Sequence, residues 1–189
     1  YDRALDDIFA VQDDIAQSVV KELRTTLLGG APDSEASGEA KAEVAAAAQG
    51  RGTNPEAHRL LLEGRHFLDR LSGDGIARGI ELLERATSLD PGNALAWAEL
   101  GRAYWSQGAW GFSGNDEGVA KGRSAIQRAL ELAPGLPEAL VLRAWIEGLY
   151  EFDLVGAEAS LRQAYDRAPS NPAAIEALGM FLSRTGRNE

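Results

Sequence analysis

The chain has 189 residues, of which 44% are hydrophobic, and a formal net charge of −10. Alanine dominates the hydrophobic residues, which favours helices over sheets. The absence of cysteine excludes disulfides and thiolate metal sites, and the acidic balance makes nucleic acid a poor partner because it repels phosphate.

Targeting and membrane segments are not visible in the sequence. It contains no run of 18 apolar residues and no signal peptide, so we expect no membrane contact from this segment and a cytoplasmic location. The chain begins at Tyr1 rather than Met, which predicts a piece of a longer protein. A targeting or membrane segment would then lie elsewhere in that protein.

The first predicted element is an amphipathic helix over residues 7–28. Its apolar residues recur at steps of three and four: Ile8, Val11, Ile15, Val19, Leu23 and Leu27. Gly29 and Gly30 end the helix. We interpret residues 1–28 as the tail of a preceding domain and residues 29–55, which are small, polar and rich in glycine, as a flexible linker.

Residues 56–189 are predicted to repeat one helical hairpin about three times and to end in a single helix. The second helix of each hairpin has a small residue, an apolar residue four positions later, an alanine and a closing proline. The three copies are Gly79, Leu83, Ala86 and Pro91; Gly122, Ile126, Ala129 and Pro134; and Ala157, Leu161, Ala164 and Pro169. Proline ends a helix because it lacks an amide donor and crowds the preceding residue.

The best-defined first helix covers residues 93–104. Trp97, Leu100, Gly101 and Tyr104 lie on one face at positions i, i+3, i+4 and i+7. The bare Cα of Gly101 lets a neighbouring helix approach closely, which offsets the roughly 1 kcal/mol that glycine costs inside a helix. Related positions upstream are Leu60, Gly64 and Phe67; downstream they are Leu140, Ala144 and Glu147, a degenerate copy, and then Ile175, Gly179 and Leu182.

This pattern resembles the first helix of the tetratricopeptide repeat (TPR). The resemblance implies an all-α fold, a right-handed superhelix of helical hairpins. The spacings from Gly64 to Gly101 to Ala144 to Gly179 are 37, 43 and 35 residues, so we place the excess over the expected 34 in the turns at residues 71–76 and 108–116. The final helix either begins a further repeat or caps the array.

Residues 1–16 resemble a second kind of segment, the junction between a TolB-like domain and TPRs in bacterial multidomain regulators. These include TPR-bearing adenylate cyclases, winged-helix transcription regulators and serine/threonine kinases. The resemblance covers about sixteen residues and carries no catalytic group. It implies a signalling or regulatory context for the parent protein.

No catalytic constellation stands out in the sequence. The motifs of phosphate loops, dinucleotide sites, zinc-binding helices and calcium loops are missing. His58 and His66 are eight residues apart on one predicted helix, about 12 Å along its axis, so they cannot share a metal. We therefore predict no metal, no cofactor and no enzyme activity for this segment.

The TPR resemblance also implies a concave groove lined by the first helices, which would bind a protein or peptide. The predicted groove residues are Arg65, Arg102, Trp105, Trp145, Met180 and Arg184. Guanidinium groups suit carboxylates, and indoles suit apolar side chains and cations. The alternative is that both tryptophans pack between repeats while the arginines pair with neighbouring acids.

A glycine-rich turn that carries Trp110 and Phe112 is the other candidate interaction site. These rings either pack onto the adjacent hairpin or form an exposed tip that supports a homodimer. Two functions therefore remain open. The segment is either a protein-interaction scaffold or a spacer or dimerisation element that positions a cyclase, kinase or DNA-binding domain of the parent chain.

Overall fold

The computed structural model describes residues 52–109 and 115–186. Over these ranges the chain forms seven α-helices and no strand, so the all-α prediction is confirmed there. The helices are α1 (Pro55–Leu68), α2 (Gly73–Leu89), α3 (Ala94–Ala109), α4 (Asn115–Leu132), α5 (Pro137–Leu149), α6 (Leu154–Arg167) and α7 (Pro172–Arg184). The helix predicted over residues 7–28, residues 29–51 of the predicted linker, and the rings of Trp110 and Phe112 lie outside the described residues.

Local sequence signals fix where the helices begin and end. Helices α1, α5 and α7 begin with proline, at a position that needs no intrahelical donor. Asn54 and Asn171 cap α1 and α7, each accepting hydrogen bonds from two backbone amides. Pro91, Pro134 and Pro169 each lie two residues beyond the end of α2, α4 and α6.

Small residues lie where paired helices cross. A Cβ atom added to Gly64 of α1 would lie 2.8 Å from Leu83 of α2, and one added to Gly101 of α3 would lie 2.6 Å from Ile126 of α4. Gly122 of α4 lies across from Gly101, since its added Cβ would be 3.1 Å from the Gly101 carbonyl oxygen. The two helices of a pair therefore approach more closely than any larger side chain would allow.

The extra residues of the second hairpin lengthen its helices. Helices α3 and α4 have 16 and 18 residues, whereas α5 and α6 have 13 and 14. The added turns pack on each other, since a Cβ on Gly118 would lie 2.9 Å from Gly108 Cα. Residues 73–76 likewise belong to α2. The assignment of residues 71–76 and 108–116 wholly to turns was therefore wrong, because each helix continues while its partner still offers a packing surface.

Three apolar clusters follow the hairpins along the chain. The first joins α1, α2 and α3 with Ala125 of α4, the second joins α3, α4 and α5, and the third joins α5, α6 and α7. Ala86, Ala129 and Ala164, one from each even-numbered helix, are fully buried. Each odd-numbered helix also packs on the next odd-numbered helix, whereas the even-numbered helices make no comparable contacts with one another in the described part of the chain. The odd-numbered helices therefore form a continuous row.

Candidate partner-binding surface

The six predicted groove residues lie on the odd-numbered helices. We call the surface of α1, α3, α5 and α7 that carries them the odd-helix face. Three of its members are exposed, namely Arg65, Met180 and Arg184, and three are half-buried, namely Arg102, Trp105 and Trp145. The repeated packing of the odd-numbered helices brings neighbouring members of this set onto adjacent helices.

Arg65 and Arg102, which were predicted to bind ligand carboxylates, both contact a carboxylate of the chain itself. Arg65 Nε lies 3.2 Å from Glu99 Oε1, and Arg102 Nε donates a hydrogen bond of 2.7 Å to Glu99 Oε2. Arg102 Nη1 also lies 3.5 Å from Asp69 Oδ1. Because Arg65 and Asp69 belong to α1 while Glu99 and Arg102 belong to α3, this cluster ties the first hairpin to the second.

The burial of Glu99 explains why the cluster forms. Only 6% of the Glu99 side chain is exposed, and a buried carboxylate is destabilising unless it is paired and hydrogen-bonded. Arg65 and Arg102 nevertheless keep 46% and 30% of their side chains exposed. Each guanidinium has five N–H donors, so a ligand carboxylate can be bound without releasing Glu99.

Trp105 and Trp145 contribute to the packing between helices. Trp105 packs against the second apolar cluster and Trp145 against the third. The Nε1 atom of Trp105 is buried and has no hydrogen-bond partner among the described residues, which is uncommon for an indole N–H. Both residues are half-buried, so each contributes to helix packing and keeps part of its surface exposed.

The polar tips of Trp97 and Tyr104 attach α3 to the end of the preceding hairpin. Trp97 Nε1 donates to the Pro91 carbonyl oxygen at 3.0 Å, and the Tyr104 hydroxyl donates to Glu84 Oε1 at 2.5 Å. Burial, followed by this hydrogen bond, raises the pKa of Tyr104 well above its ordinary value. Leu100 and Gly101 of the same pattern are buried.

A polar network in the third hairpin was missed from the sequence. Ser160 of α6, which is 2% exposed, accepts a hydrogen bond from Arg143 Nε at 3.0 Å and donates one to Glu147 Oε2 at 2.6 Å. Arg143 and Glu147 stand where α3 has Leu100 and Tyr104. Arg143 and Glu147 have opposite charges and lie four residues apart on one helix. This spacing was the sequence feature that could have indicated their pairing.

A shallow groove of about 530 Å³ between α3 and α4 was also missed. Trp97 and Tyr104 form part of its apolar lining, and Lys121 and Arg128 of α4 add charge. Lys121 Nζ lies 5.7 Å from the centre of the Tyr104 ring and 2.8 Å from Glu117 Oε1. The sequence did not indicate this groove, because Trp97 and Tyr104 were assigned to packing alone.

The turn between α5 and α6 and the first two residues of α6 expose apolar side chains. Phe152 is 82% exposed, Val155 81% and Leu154 53%. Phe152 has a φ of 56°, a region that bulky residues rarely adopt. This turn occupies the position in its hairpin that the turn with Trp110 and Phe112 occupies in the preceding one, and the exposure of those two rings stays a prediction because they lie outside the described residues.

Residues 52–109 and 115–186 contain no group of three or more His, Cys, Asp or Glu side chains that could hold a metal ion. None of the seven described helices combines the length and apolar character needed to cross a bilayer.

These features define an all-helical segment in which paired helices pack in series. No protein-family model matches the chain. Over 100 residues, 53% of its length, the chain is 33% identical to a protein of Rhizobium meliloti (strain 1021) named "Putative adenylate cyclase 3". The match covers 15% of that protein, so the chain corresponds to a small part of this curated relative.

Proposed function

We propose that the chain is a non-catalytic protein-interaction module whose hairpins stack as tetratricopeptide repeats and whose odd-helix face binds a peptide or partner segment. The observation that carries this proposal is the row of contacts from α1 through α3 and α5 to α7. A continuous row of helices offers an extended face to a ligand, as repeat proteins use. The small-residue crossings that recur in successive hairpins support the stacking of one repeated unit.

The side chains of the odd-helix face favour a ligand that combines carboxylates with apolar groups. Arg65 and Arg184 supply exposed guanidinium groups for carboxylates. Met180 and the exposed part of Trp145 supply adaptable apolar contacts. We assign Arg102 chiefly to holding Glu99.

An array of short peptides that combine acidic and apolar residues tests this function. We expect Arg184→Ala and Trp145→Ala to weaken binding of captured peptides about tenfold each, as expected when an anchor residue is lost. Arg59→Ala and Arg162→Ala are matched controls, since both arginines are exposed and pair with acids of their own helices. Equal binding by all four variants would remove the odd-helix face from the proposal.

We also propose that the segment belongs to a bacterial multidomain signalling protein, which the relative named as an adenylate cyclase supports. Because the match covers a small part of that relative, we assign any cyclase, kinase or DNA-binding activity of the parent to other domains. The parent sequence tests this assignment. A parent without an effector domain would contradict it.

A dimerisation or spacer role is the second candidate, and the exposed α5–α6 turn favours it. Phe152 and Val155 present apolar surface with no shielding in the described chain. Light scattering at high concentration separates the two roles. A dimer that Phe152→Ser converts to a monomer supports dimerisation, whereas a wild-type chain that stays monomeric contradicts it.

A further inference from the structure

The groove between α3 and α4 combines two aromatic rings with small side chains. Trp97 and Tyr104 of α3 are half-buried and pack on the first apolar cluster, and Leu100 between them is buried. The α4 side of the groove is lined largely by small residues, namely Ala120, Ser124 and Ala125. The hollow of about 530 Å³ is the space that these small side chains leave beside the two rings.

A small residue next to aromatic rings distinguishes the second hairpin from the other two described hairpins. At the position of Ala125 in α4, α2 has the buried Leu82 and α6 has Ser160. The Ser160 hydroxyl is hydrogen-bonded to Arg143 and Glu147 of α5, so the third hairpin has a closed polar network there. The groove is therefore a local feature of α3 and α4 and does not follow from the repeated template.

The polar atoms of both aromatic residues are already hydrogen-bonded within the chain. Trp97 Nε1 donates to the Pro91 carbonyl oxygen, and the Tyr104 hydroxyl donates to Glu84. What the two residues present to the groove is therefore ring surface, which favours stacking or edge contacts with another ring. An aromatic ligand matches this surface best.

The two charged residues that line the groove are both cations, although the chain has a formal net charge of −10. Lys121 pairs with Glu117 and Arg128 pairs with Glu131, each within α4 and each through exposed side chains. Exposed pairs of this kind contribute about 0–1 kcal/mol, so an anionic ligand can compete with them. Lys121 Nζ also lies 5.7 Å from the centre of the Tyr104 ring, which places a cation beside the aromatic surface.

We propose that this groove binds a small aromatic carboxylate, with its ring against Trp97 and Tyr104 and its carboxylate beside Lys121. The lining extends over residues 97–104 of α3 and 120–128 of α4, about two helical turns or about 12 Å. A molecule of one or two rings fits within this length, and the volume lies in the range of small-molecule sites. A helix or strand, whether of a partner or of this chain, would extend beyond so short a lining and gain little from it.

The groove is separate from the odd-helix face. Arg102 lies about 160° around the axis of α3 from Tyr104, by the helical repeat. Binding of a small carboxylate in the groove therefore does not require the surface proposed for peptides.

Two-dimensional NMR of the whole chain, titrated with naphthoate, tests the proposal. Naphthoate carries one carboxylate on two fused rings. We expect shifts at the backbone amides of residues 120–128 and at the Trp97 indole N–H. Naphthylmethylamine, the cationic analogue, should bind at least about tenfold more weakly, because Lys121 and Arg128 repel it.

Variants of α4 separate charge from shape. Lys121→Met should weaken naphthoate binding about three- to tenfold, and Arg123→Met is the matched control, since Arg123 is exposed on α4 and pairs with Glu151. Ala120→Leu should fill the groove and weaken binding at least about tenfold. Ala120 is exposed and leucine is a good helix former, so the melting temperature of this variant should stay near that of wild type.

Several results would overturn the proposal. These are equal affinity of wild type and Ala120→Leu, equal losses in Lys121→Met and Arg123→Met, equal affinity for naphthoate and its cationic analogue, or no shift at the groove with millimolar naphthoate. Arg184→Ala should bind naphthoate as wild type does. A failure of peptide binding at the odd-helix face is therefore distinguishable from a failure of the groove.

Discussion

At the scale of single residues, the same residue type has opposite effects according to what faces it. Gly101 lies at a helix crossing, where an added Cβ would meet Ile126 and the Gly122 carbonyl oxygen. Gly179 lies on an exposed helix surface. The sequence pattern marks both glycines alike, and only the packing separates them.

The two glycines should therefore respond oppositely to alanine. We expect Gly101→Ala to lower the free energy of unfolding by about 1–2 kcal/mol, because α4 must shift to admit the methyl group. Gly179→Ala should raise it by about 0.5–1 kcal/mol, because alanine is the better helix former. Urea unfolding followed by circular dichroism measures both changes. A Gly101→Ala variant at least as stable as wild type would contradict the crossing at Gly101, and a Gly179→Ala variant less stable than wild type would contradict free space beside Gly179.

Tyr104 should make stability sensitive to alkaline pH. Burial and the hydrogen bond to Glu84 raise its pKa in the native state, so the native state holds the phenol proton more tightly than the unfolded chain does. This contribution is fully present below the unfolded pKa of about 10 and is lost as the pH rises through the folded pKa.

We therefore expect wild type to lose more unfolding free energy than Tyr104→Phe between about pH 8 and about pH 11. Urea unfolding at a series of pH values measures the difference, and Tyr165→Phe is the matched control at an exposed position of α6. If wild type and Tyr104→Phe lost the same unfolding free energy as the pH rises, Tyr104 would not contribute to the pH dependence of stability.

At the scale of elements, the α5–α6 hairpin keeps the packing of its neighbours with different chemistry. Arg143 and Glu147 replace an apolar residue and an aromatic one, and Ser160 joins them from α6. The first-helix pattern matches α5 poorly, because the pattern consists of apolar and small positions and α5 has charged residues at two of them. The hydrogen bonds connect residues 13 and 17 positions apart, and their pairing depends on how the two helices face each other.

Removal of the serine hydroxyl should weaken this hairpin. We expect Ser160→Ala to lower the free energy of unfolding by about 1–3 kcal/mol, because Glu147 and Arg143 lose a buried partner. Ser124→Ala is the control, since Ser124 is exposed and its hydroxyl donates to the Ala120 carbonyl oxygen of its own helix. Thermal unfolding measures the stability that each variant loses. A loss for Ser160→Ala as small as the loss for Ser124→Ala would contradict a structural role for the network of Arg143, Glu147 and Ser160.

The presence of the helices and the spacing of the hairpins could be predicted from the sequence. The lengths of the helices could not. Proline and glycine signals and the apolar steps of three and four placed helices on both sides of each turn. The extension of α3 and α4 depends on the Gly108 and Gly118 contact, which arises only when the two helices lie together. Between α3 and α4 the residues that belong to the helices and those that belong to the turn have similar composition. The sequence alone therefore could not show where α3 ends and α4 begins.

At the scale of the whole molecule, the row of odd-numbered helices is the basis of the proposed binding surface. The sequence placed the candidate residues on these helices, but it did not identify Glu99 as the internal partner of Arg65 and Arg102. Glu99 has no sequence feature that distinguishes it from an exposed acid. Its burial is a consequence of how α1 and α3 pack.

A double-mutant cycle between Arg65 and Glu99 tests most directly whether successive odd-numbered helices lie side by side. With Arg65→Met, Glu99→Gln and the double variant, we predict a coupling of about 1 kcal/mol in the free energy of unfolding. The exposed pair Arg59 and Glu63 within α1 is the reference, expected near 0.3–0.5 kcal/mol. A coupling between Arg65 and Glu99 within about 0.3 kcal/mol of zero would contradict the row of helices on which the binding surface depends.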